Sequence, residues 1–313
     1  MMEKKLSIVI GTYNRLEFLR QCLDSLIGKI RVGHEIVVID AGSTDGTLNY
    51  LENAHGIRLV CDGKLVGQAK SLNRVMKTLD SDWVCWLSDD NIAVDGMLDT
   101  AVEILERNAD IGMVGLKVQD IGADAFPEYL GGIWDSGVLT VNQGMLSTKL
   151  FQSLGGFDEE FGDYGIDGDL TTRVLLRGYK VVFTKHIALY HFRHRETTSW
   201  IDVEGREERM KYAKKLYARK YADLIKSEYD GKYDKNERFV QFRRVEKRYR
   251  TNQKQNLWEK WIGLNLTDWK NLIVARFIQR GDSIRCLHRR YHLVQQMPKR
   301  LIIQLKISRK EVA

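Results

Sequence analysis

Residues 82–91 read DWVCWLSDDN, an apolar run that ends abruptly in two adjacent carboxylates, Asp89 and Asp90. Val84, Cys85, Trp86 and Leu87 are continuous enough for a strand buried on both faces of a sheet, which puts the carboxylates at its C-terminal edge. In an open α/β sheet that edge is where ligands bind. Side by side the two carboxylates repel, and a divalent cation between them and a polyphosphate relieves the repulsion. A solvated Asp-Asp-Asn turn is the alternative, because strand ends use such turns freely.

Upstream, Leu6 to Ile10 (LSIVI) reads as a buried strand, and Gly11 to Arg15 as the turn after it. Leu16, Leu19, Cys22, Leu23, Leu26 and Ile27 then recur at the three-and-four spacing of an amphipathic helix. A second unit repeats the pattern: strand Glu35 to Ile39, turn Asp40 to Gly46, and a helix from Thr47 to Asn53. Arg58 to Cys61 makes a short third strand, and Ala69 to Leu79 a helix leading into the 82–91 strand. Strand-helix alternation with short Gly-containing turns predicts an α/β fold, a mostly parallel, doubly wound sheet. Downstream, Asp110 to Val118 holds a strand, and Gly131 to Trp134 with Val138 to Val141 supply strands or loops to line a pocket. Gly165 to Leu170 reads as a helix start rich in acidic residues.

The 313 residues, 43% of them apolar, suffice for a real core. The cysteines Cys22, Cys61, Cys85 and Cys286 show no close pairing, and three lie inside apolar runs, which suits reduced thiols in a cytosolic compartment. The N-terminal MMEKKLSIVIGTYN offers about five apolar residues before a polar turn, too few for a secretory signal. No apolar run long enough to span a bilayer occurs, so the expected location is cytoplasmic. The net charge of +7 is unevenly divided. Residues 206–313 hold 29 Lys and Arg against 12 Asp and Glu, a charge of +17, whereas residues 1–205 hold 20 against 30, or −10. A basic rear part of this kind meets an anionic surface or is simply a lysine-rich helical extension.

No Gly-x-Gly-x-x-Gly follows the first strand and no Gly-Lys-Ser/Thr loop occurs, which argues against a dinucleotide dehydrogenase and a P-loop NTPase. Instead the strands end in different polar groups: Tyr13, Asp40, then Asp89 and Asp90. Tyr13 could stack on a base and Asp40 could accept a hydrogen bond from a base N–H. Taken singly, each is more often a capping or packing residue. Gathered at one sheet edge, they predict a nucleotide pocket.

SIVIGTYNR (7–15), VVIDAGSTDGT (37–47) and WLSDDN (86–91) resemble the ordered motifs of the family 2 glycosyltransferases, and the likeness continues through GGFDEEFGDYGIDGDLTTRVLLRGYKV (155–181) to His191. The resemblance implies a GT-A fold over residues 1–205, with a nucleotide-binding half (1–100) and an acceptor half (101–205); charge and periodicity alone make 206–313 a basic helical extension. It implies inverting transfer from a nucleoside-diphosphate sugar, UDP-linked by expectation, to a saccharide acceptor in surface glycan synthesis; that the acceptor is lipid-linked is an expectation from the basic tail alone. Thr12, Tyr13 and Asp40 would hold base and ribose, Asp89 the ribose side, and Lys70 the diphosphate. Asp90 would ligate Mn²⁺ or Mg²⁺, with His191 completing the site, and Asp167 would be the catalytic base. Two positions depart from the family pattern: Ser88 replaces the first carboxylate of its Asp-x-Asp site, and Ile166 replaces the Glu before the base. Asp163 and Asp169 compete with Asp167, their bland role being helix capping. A non-catalytic nucleotide-sugar-binding or scaffold protein is the alternative function.

Past Trp200 the residues speak for themselves. Arg206 to Lys226 has a helical period and is expected to pack back on the sheet domain. Phe239 to Tyr249 is similar and more basic, and Leu257 to Phe277 mixes tryptophans and aliphatics with basic residues. With the arginine- and lysine-rich tail, this fits peripheral contact of 257–313 with an anionic membrane on its inner face. Self-association through a helical bundle, giving a homo-oligomer, is the competing reading. Nucleic acid is not expected, as no recognition motif is present.

Overall fold

The computed structural model describes residues 5–121, 130–132, 134, 136, 138–192, 203–224 and 291–296. The first half alternates as the sequence predicts: β1 (Leu6–Thr12), α1 (Leu16–Leu26), β2 (His34–Asp40), α2 (Thr47–Glu52), β3 (Ile57–Cys61), α3 (Gln68–Met76) and β4 (Trp83–Ser88). Then come β5 (Asn91–Ala93), α4 (Met97–Arg107), β6 (Ile111–Gly115), β7 (Val118–Ile121), β8 (Gly144–Ser147), α5 (Thr148–Ser153), α6 (Ile166–Leu176), β9 (Lys180–Thr184), β10 (Leu189–Phe192), α7 (Val203–Lys220) and β11 (Tyr291–Gln295).

Eight strands form the main sheet in the order β11-β9-β6-β8-β4-β1-β2-β3. All pairings among β3, β2, β1 and β4, and that of β6 with β9, are parallel; β8 and β11 run against their neighbours. The strand alternation explains the two cores. Val9, Val37, Ile39, Val84 and Trp86 point to one face, against α3, α5, α6 and α7. Ile8, Ile10, Ile36, Val38, Cys85 and Leu87 point to the other, against α1 and α4. This two-sided burial is why DWVCWLSDDN reads as a continuous apolar run, and each buried aliphatic or aromatic side chain contributes about 1.5–3 kcal/mol.

A smaller sheet, β5-β10-β7, caps the C-terminal edge of β4 and was not anticipated from sequence. Its β10 pairs antiparallel with β5 and parallel with β7, setting His191 beside Asn91 and Asp120. Helix α6 is buried nearly all round instead of along one stripe, because α7 covers its outer side: Ala213, Leu216, Tyr217, Tyr221 and Leu224 all enter the core beneath it. The expected packing of the 206–226 helix is therefore present. Strand β11, which sequence reasoning missed, adds an edge beside β9. The tail segments 239–249 and 257–277, and the basic cluster of the last residues, lie outside the described residues.

Candidate active site

β1, β2 and β4 run parallel and in register, with Thr12 beside Asp40 and Gly11 beside Ser88, so their following turns open at one edge. Asp40 is buried there. Its Oδ2 accepts hydrogen bonds from the backbone N–H groups of Gly42 (2.9 Å) and Ser43 (3.0 Å), while Oδ1 is buried with no partner among the described residues. A glycine is required at 42: φ is +91°, and a Cβ would lie 2.6 Å from the Gly63 carbonyl oxygen. The turns after β1 and β2 brace each other, since Asn14 N–H donates to Ser43 Oγ (2.9 Å) and Thr44 N–H to Asn14 Oδ1 (2.7 Å). Tyr13 sits half-buried between them. The free Oδ1 of Asp40 is a ready acceptor for a ligand N–H, as its proposed base contact requires.

Asp89 and Asp90 are buried at the end of β4, with side-chain exposures of 5% and 9%. The Thr12 hydroxyl donates to Asp89 Oδ2 (2.8 Å). Arg15, which sequence reasoning left in a turn, puts one nitrogen, Nη1, 3.0 Å from Asp89 Oδ1 and 2.9 Å from Asp90 Oδ2. The available signal was an arginine in the turn that follows a strand ending at the same edge. Burial and the adjacent Asp90 charge push the Asp89 carboxyl up to about 6, against the opposing pull of Arg15. Burial works to raise Asp90 too, but hydrogen bonding and charge from His191 and the Arg15 guanidinium hold it below the usual carboxylate value.

His191 faces Asp90, with Nε2 3.6 Å from Asp90 Oδ2, and its Nδ1 is 2.8 Å from Asp120 Oδ1. Burial would lower its pKa, yet the Asp120 and Asp90 carboxylates raise it to about 9. Asp120 is the second residue missed from sequence, because VQDI reads as an ordinary strand. Two features fit a divalent metal. Asp90 Oδ1 is buried without a partner among the described residues, and Asp120 engages Nδ1 of His191, leaving Nε2 turned to Asp90, the carboxylate-histidine arrangement typical of metal ligands. Among the described residues no group of three or more His, Cys, Asp or Glu side chains is placed to hold a metal alone. A metal here would draw its further ligands from donor diphosphate and water.

Ser88, at the position of the family's first carboxylate, is turned aside. Its hydroxyl accepts from Gln143 Nε2 (2.8 Å) and its N–H donates to Gln143 Oε1 (3.1 Å). The residues just before Gln143 are held by separate hydrogen bonds. Asn142 O accepts from Trp86 Nε1 (2.9 Å), Thr140 Oγ1 lies 2.8 Å from Asn142 Oδ1, and Val141 N–H donates to Thr171 Oγ1 (3.1 Å). Asp167, in the first turn of α6, is half-buried, and burial raises its pKa; backbone N–H groups and the Thr140 side chain partly offset the rise. Ile166 is buried in the core.

The competing carboxylates have other tasks. Asp169 is fully buried and binds Arg173 Nε (2.7 Å), Lys220 Nζ (2.6 Å) and Tyr221 Oη (2.6 Å). Asp163 Oδ1 accepts from the Gln68 N–H (2.8 Å) and so serves the N-terminus of α3. Lys70, on the first turn of α3, is exposed.

A mostly parallel sheet flanked by helices, with acidic groups at the C-terminal edge of β4, is a GT-A fold. Residues 7–140 match the model of glycosyl transferase family 2. Glycosyltransferase GlyA of Streptococcus pneumoniae is 27% identical over 63% of this chain, and the chain spans 31% of its length. The mannosyltransferase PcManGT of Pyrobaculum calidifontis, in complex with GDP-Man and Mn²⁺, superposes with a TM-score of 0.53 at 15% identity, over 91% of this chain and 83% of its own. S. aureus TarS 1–349 in complex with UDP gives 0.54 at 16% identity, over 83% and 78%.

Proposed function

We propose that the protein is a metal-dependent, inverting glycosyltransferase that moves a sugar from a nucleoside diphosphate, UDP in the first instance, to a saccharide or lipid-linked saccharide of a surface glycan. The observation that supports this reading is a buried carboxylate, Asp90, with an oxygen unpartnered among the described residues, beside His191 at the C-terminal edge of the sheet; Asp167, near Thr140 in the first turn of α6, is the carboxylate proposed as base. The GDP-Man, UDP and Mn²⁺ complexes of the structural neighbours support a nucleotide-sugar and metal reading.

In this reading Asp40 Oδ1 accepts a base N–H, Thr12 and Asp89 face the ribose, Tyr13 stacks, and Lys70 swings toward the diphosphate. Asp90 and His191 would hold a divalent ion, Mn²⁺ or Mg²⁺, which supplies Lewis-acid stabilisation of the departing diphosphate. Asp167 takes the acceptor hydroxyl proton, late and in concert with attack on the anomeric carbon, since even a raised carboxylate is a weak base for an alcohol. Ser88 and Ile166 do not oppose catalysis: one holds Gln143 and the other fills the core.

Residues 1–205 carry the proposed donor and acceptor groups, α7 and β11 complete their core and sheet, and the basic remainder of 257–313 is proposed to make peripheral contact with the inner membrane face. No helix among the described residues is long and apolar enough to cross a membrane. The test is a panel of UDP- and GDP-sugars with and without Mn²⁺. Turnover that disappears in Asp167→Asn while nucleotide binding persists is the expected result. Binding across the panel with no turnover would instead make the chain a nucleotide-sugar-binding scaffold. Anionic-vesicle co-sedimentation, unchanged when the basic residues of 299–310 are neutralised, would remove the membrane contact.

A further inference from the structure

Ser136 and Val138 to Val141 lie beside the base-bearing helix α6, and two side chains from beyond residue 205 hold Ser136 and Leu139. Tyr217 Oη of α7 is 2.6 Å from Ser136 Oγ and 2.6 Å from Thr172 Oγ1 of α6, so one hydroxyl ties the segment to the helix that carries Asp167. The Tyr217 ring lies 4.6 Å from that of Trp134, whose indole rests on Gly165 and Gly168 at the start of α6; a Cβ on Gly168 would come within 2.6 Å of Trp134 Nε1. Gln295 of β11, fully buried, donates to the Leu139 carbonyl (2.6 Å) and accepts from the Leu139 N–H (2.8 Å). That two-bond pairing substitutes for a missing strand neighbour. Next in the chain, Thr140 reaches Asp167, and its one hydroxyl proton is contested between Asp167 and Asn142.

From this geometry we infer that Tyr217 and Gln295 are positioning residues, which hold 136–141 against α6 so that Thr140 and Asp167 keep a productive geometry. This rests on the reading of Asp167 as base. It gives the extension a part in the reaction separate from any membrane contact: α7 and β11 complete one wall of the site. A buried polar residue engaged on both hydrogen-bonding atoms is costly to place in a core, and a fully satisfied one fixes a single backbone position. A shift of about 1 Å in a positioned catalytic group is enough to lose about a hundredfold in rate.

The experiment uses the full chain with Tyr217→Phe, Gln295→Leu and the milder Gln295→Glu, which keeps the shape and the acceptor but turns a second oxygen toward the Leu139 carbonyl. Hydrolysis of the best UDP- or GDP-sugar with Mn²⁺ is followed across pH, alongside equilibrium binding of the same donor and thermal unfolding. The expected result is kcat lowered by about tenfold to a hundredfold in each variant, donor binding within about twofold of the parent, and the acid limb of the rate profile displaced. Tyr217→Phe, which loses one oxygen atom, should stay folded and show the kcat effect alone. Lower melting temperatures with unchanged kcat per folded molecule would make both residues purely structural and overturn the inference. If the parent hydrolyses no donor, the glycosyltransferase reading itself fails; if the parent is active and the variants match it, this inference alone does.

Discussion

Replacing Arg15 by Met tests whether the Asp89-Asp90 edge is a cation site. The guanidinium places one nitrogen 3.0 and 2.9 Å from the two carboxylates, in a pocket where Arg15 is 16% exposed and the acids 5% and 9%. Removing one partner of a buried ion pair costs about 3–5 kcal/mol. A proton limits the loss here. Raising a carboxylate from its ordinary 3.8 to the assay pH of about 7 corresponds to about 4 kcal/mol, at about 1.4 kcal/mol per pH unit. Asp89, already pushed up to about 6, carries about 3 of those, so most of the added loss falls on Asp90. About 2–3 kcal/mol at pH 7 is expected, a fall in Tm of about 4–12 °C for a chain of this size. A group with a raised pKa contributes stability at low pH that is lost as pH climbs through the folded value, so the deficit should shrink between pH 7 and pH 5. Mn²⁺ should then stabilise the variant more than the parent, because it no longer meets a fixed guanidinium; a hundredfold excess over Kd gives about 2.7 kcal/mol. Differential scanning fluorimetry at both pH values, with and without Mn²⁺, reads all of this. A variant within about 0.5 kcal/mol of the parent, or equal Mn²⁺ shifts in both, would refute the reasoning.

Asp120→Asn keeps a hydrogen-bonding group beside His191 Nδ1 but loses the charge, and Mn²⁺ affinity measured by calorimetry should fall by about tenfold to a hundredfold. Arg173→Met removes the 2.7 Å partner of Asp169 and two carbonyl contacts, to Leu154 and Gly156. Its unfolding free energy in urea should drop by about 3–5 kcal/mol, and a loss below about 1 kcal/mol would show that Lys220 and Tyr221 satisfy Asp169 by themselves. Because burial raises the Asp167 pKa, the acid limb of kcat/KM should sit above the ordinary carboxylate range; a limb at or below that range, or one that survives in Asp167→Asn, would take the base role from Asp167.

The sheet was legible because it is a local property. Two-sided burial makes β1, β2 and β4 read as unbroken apolar runs, and each polar residue that ends a run marks the same edge. What was hidden depends on partners distant in sequence. Arg15 meets Asp89 and Asp90 across 74 and 75 positions, and Asp120 meets His191 across 71. Asp169 looked like a cap because its partners Lys220 and Tyr221 come from a helix whose contact face cannot be read from α6. Gln295 gave no signal at all: a glutamine in a basic tail looks solvated until Leu139, 156 positions upstream, supplies both hydrogen bonds. One trace did exist, since α6 (IDGDLTTRVLL) lacks a polar stripe and so needs cover on its outer side.

The charges at the edge bear on how a donor can bind. Asp89, Asp90 and Asp120 gather around one guanidinium, Arg15, and one imidazole, His191, whose pKa of about 9 shows how strongly the carboxylates favour a positive partner. A nucleoside diphosphate would add about two negative charges to a region where buried like charges interact strongly. Arg15 cannot neutralise the diphosphate without leaving the carboxylates unpaired, and His191 already faces Asp120 through Nδ1 and Asp90 through Nε2. On the proposed metal-dependent reading, the donor would arrive with a cation of its own. That cation would take over the role of the proton on His191 Nε2, because a ligating imidazole must be neutral. Donor and metal should consequently bind with positive coupling and release a proton. In paired calorimetric titrations in buffers of different ionisation enthalpy, donor affinity that is independent of Mn²⁺, with no proton released, would mean that Arg15 alone serves the diphosphate and that the carboxylate pair is structural.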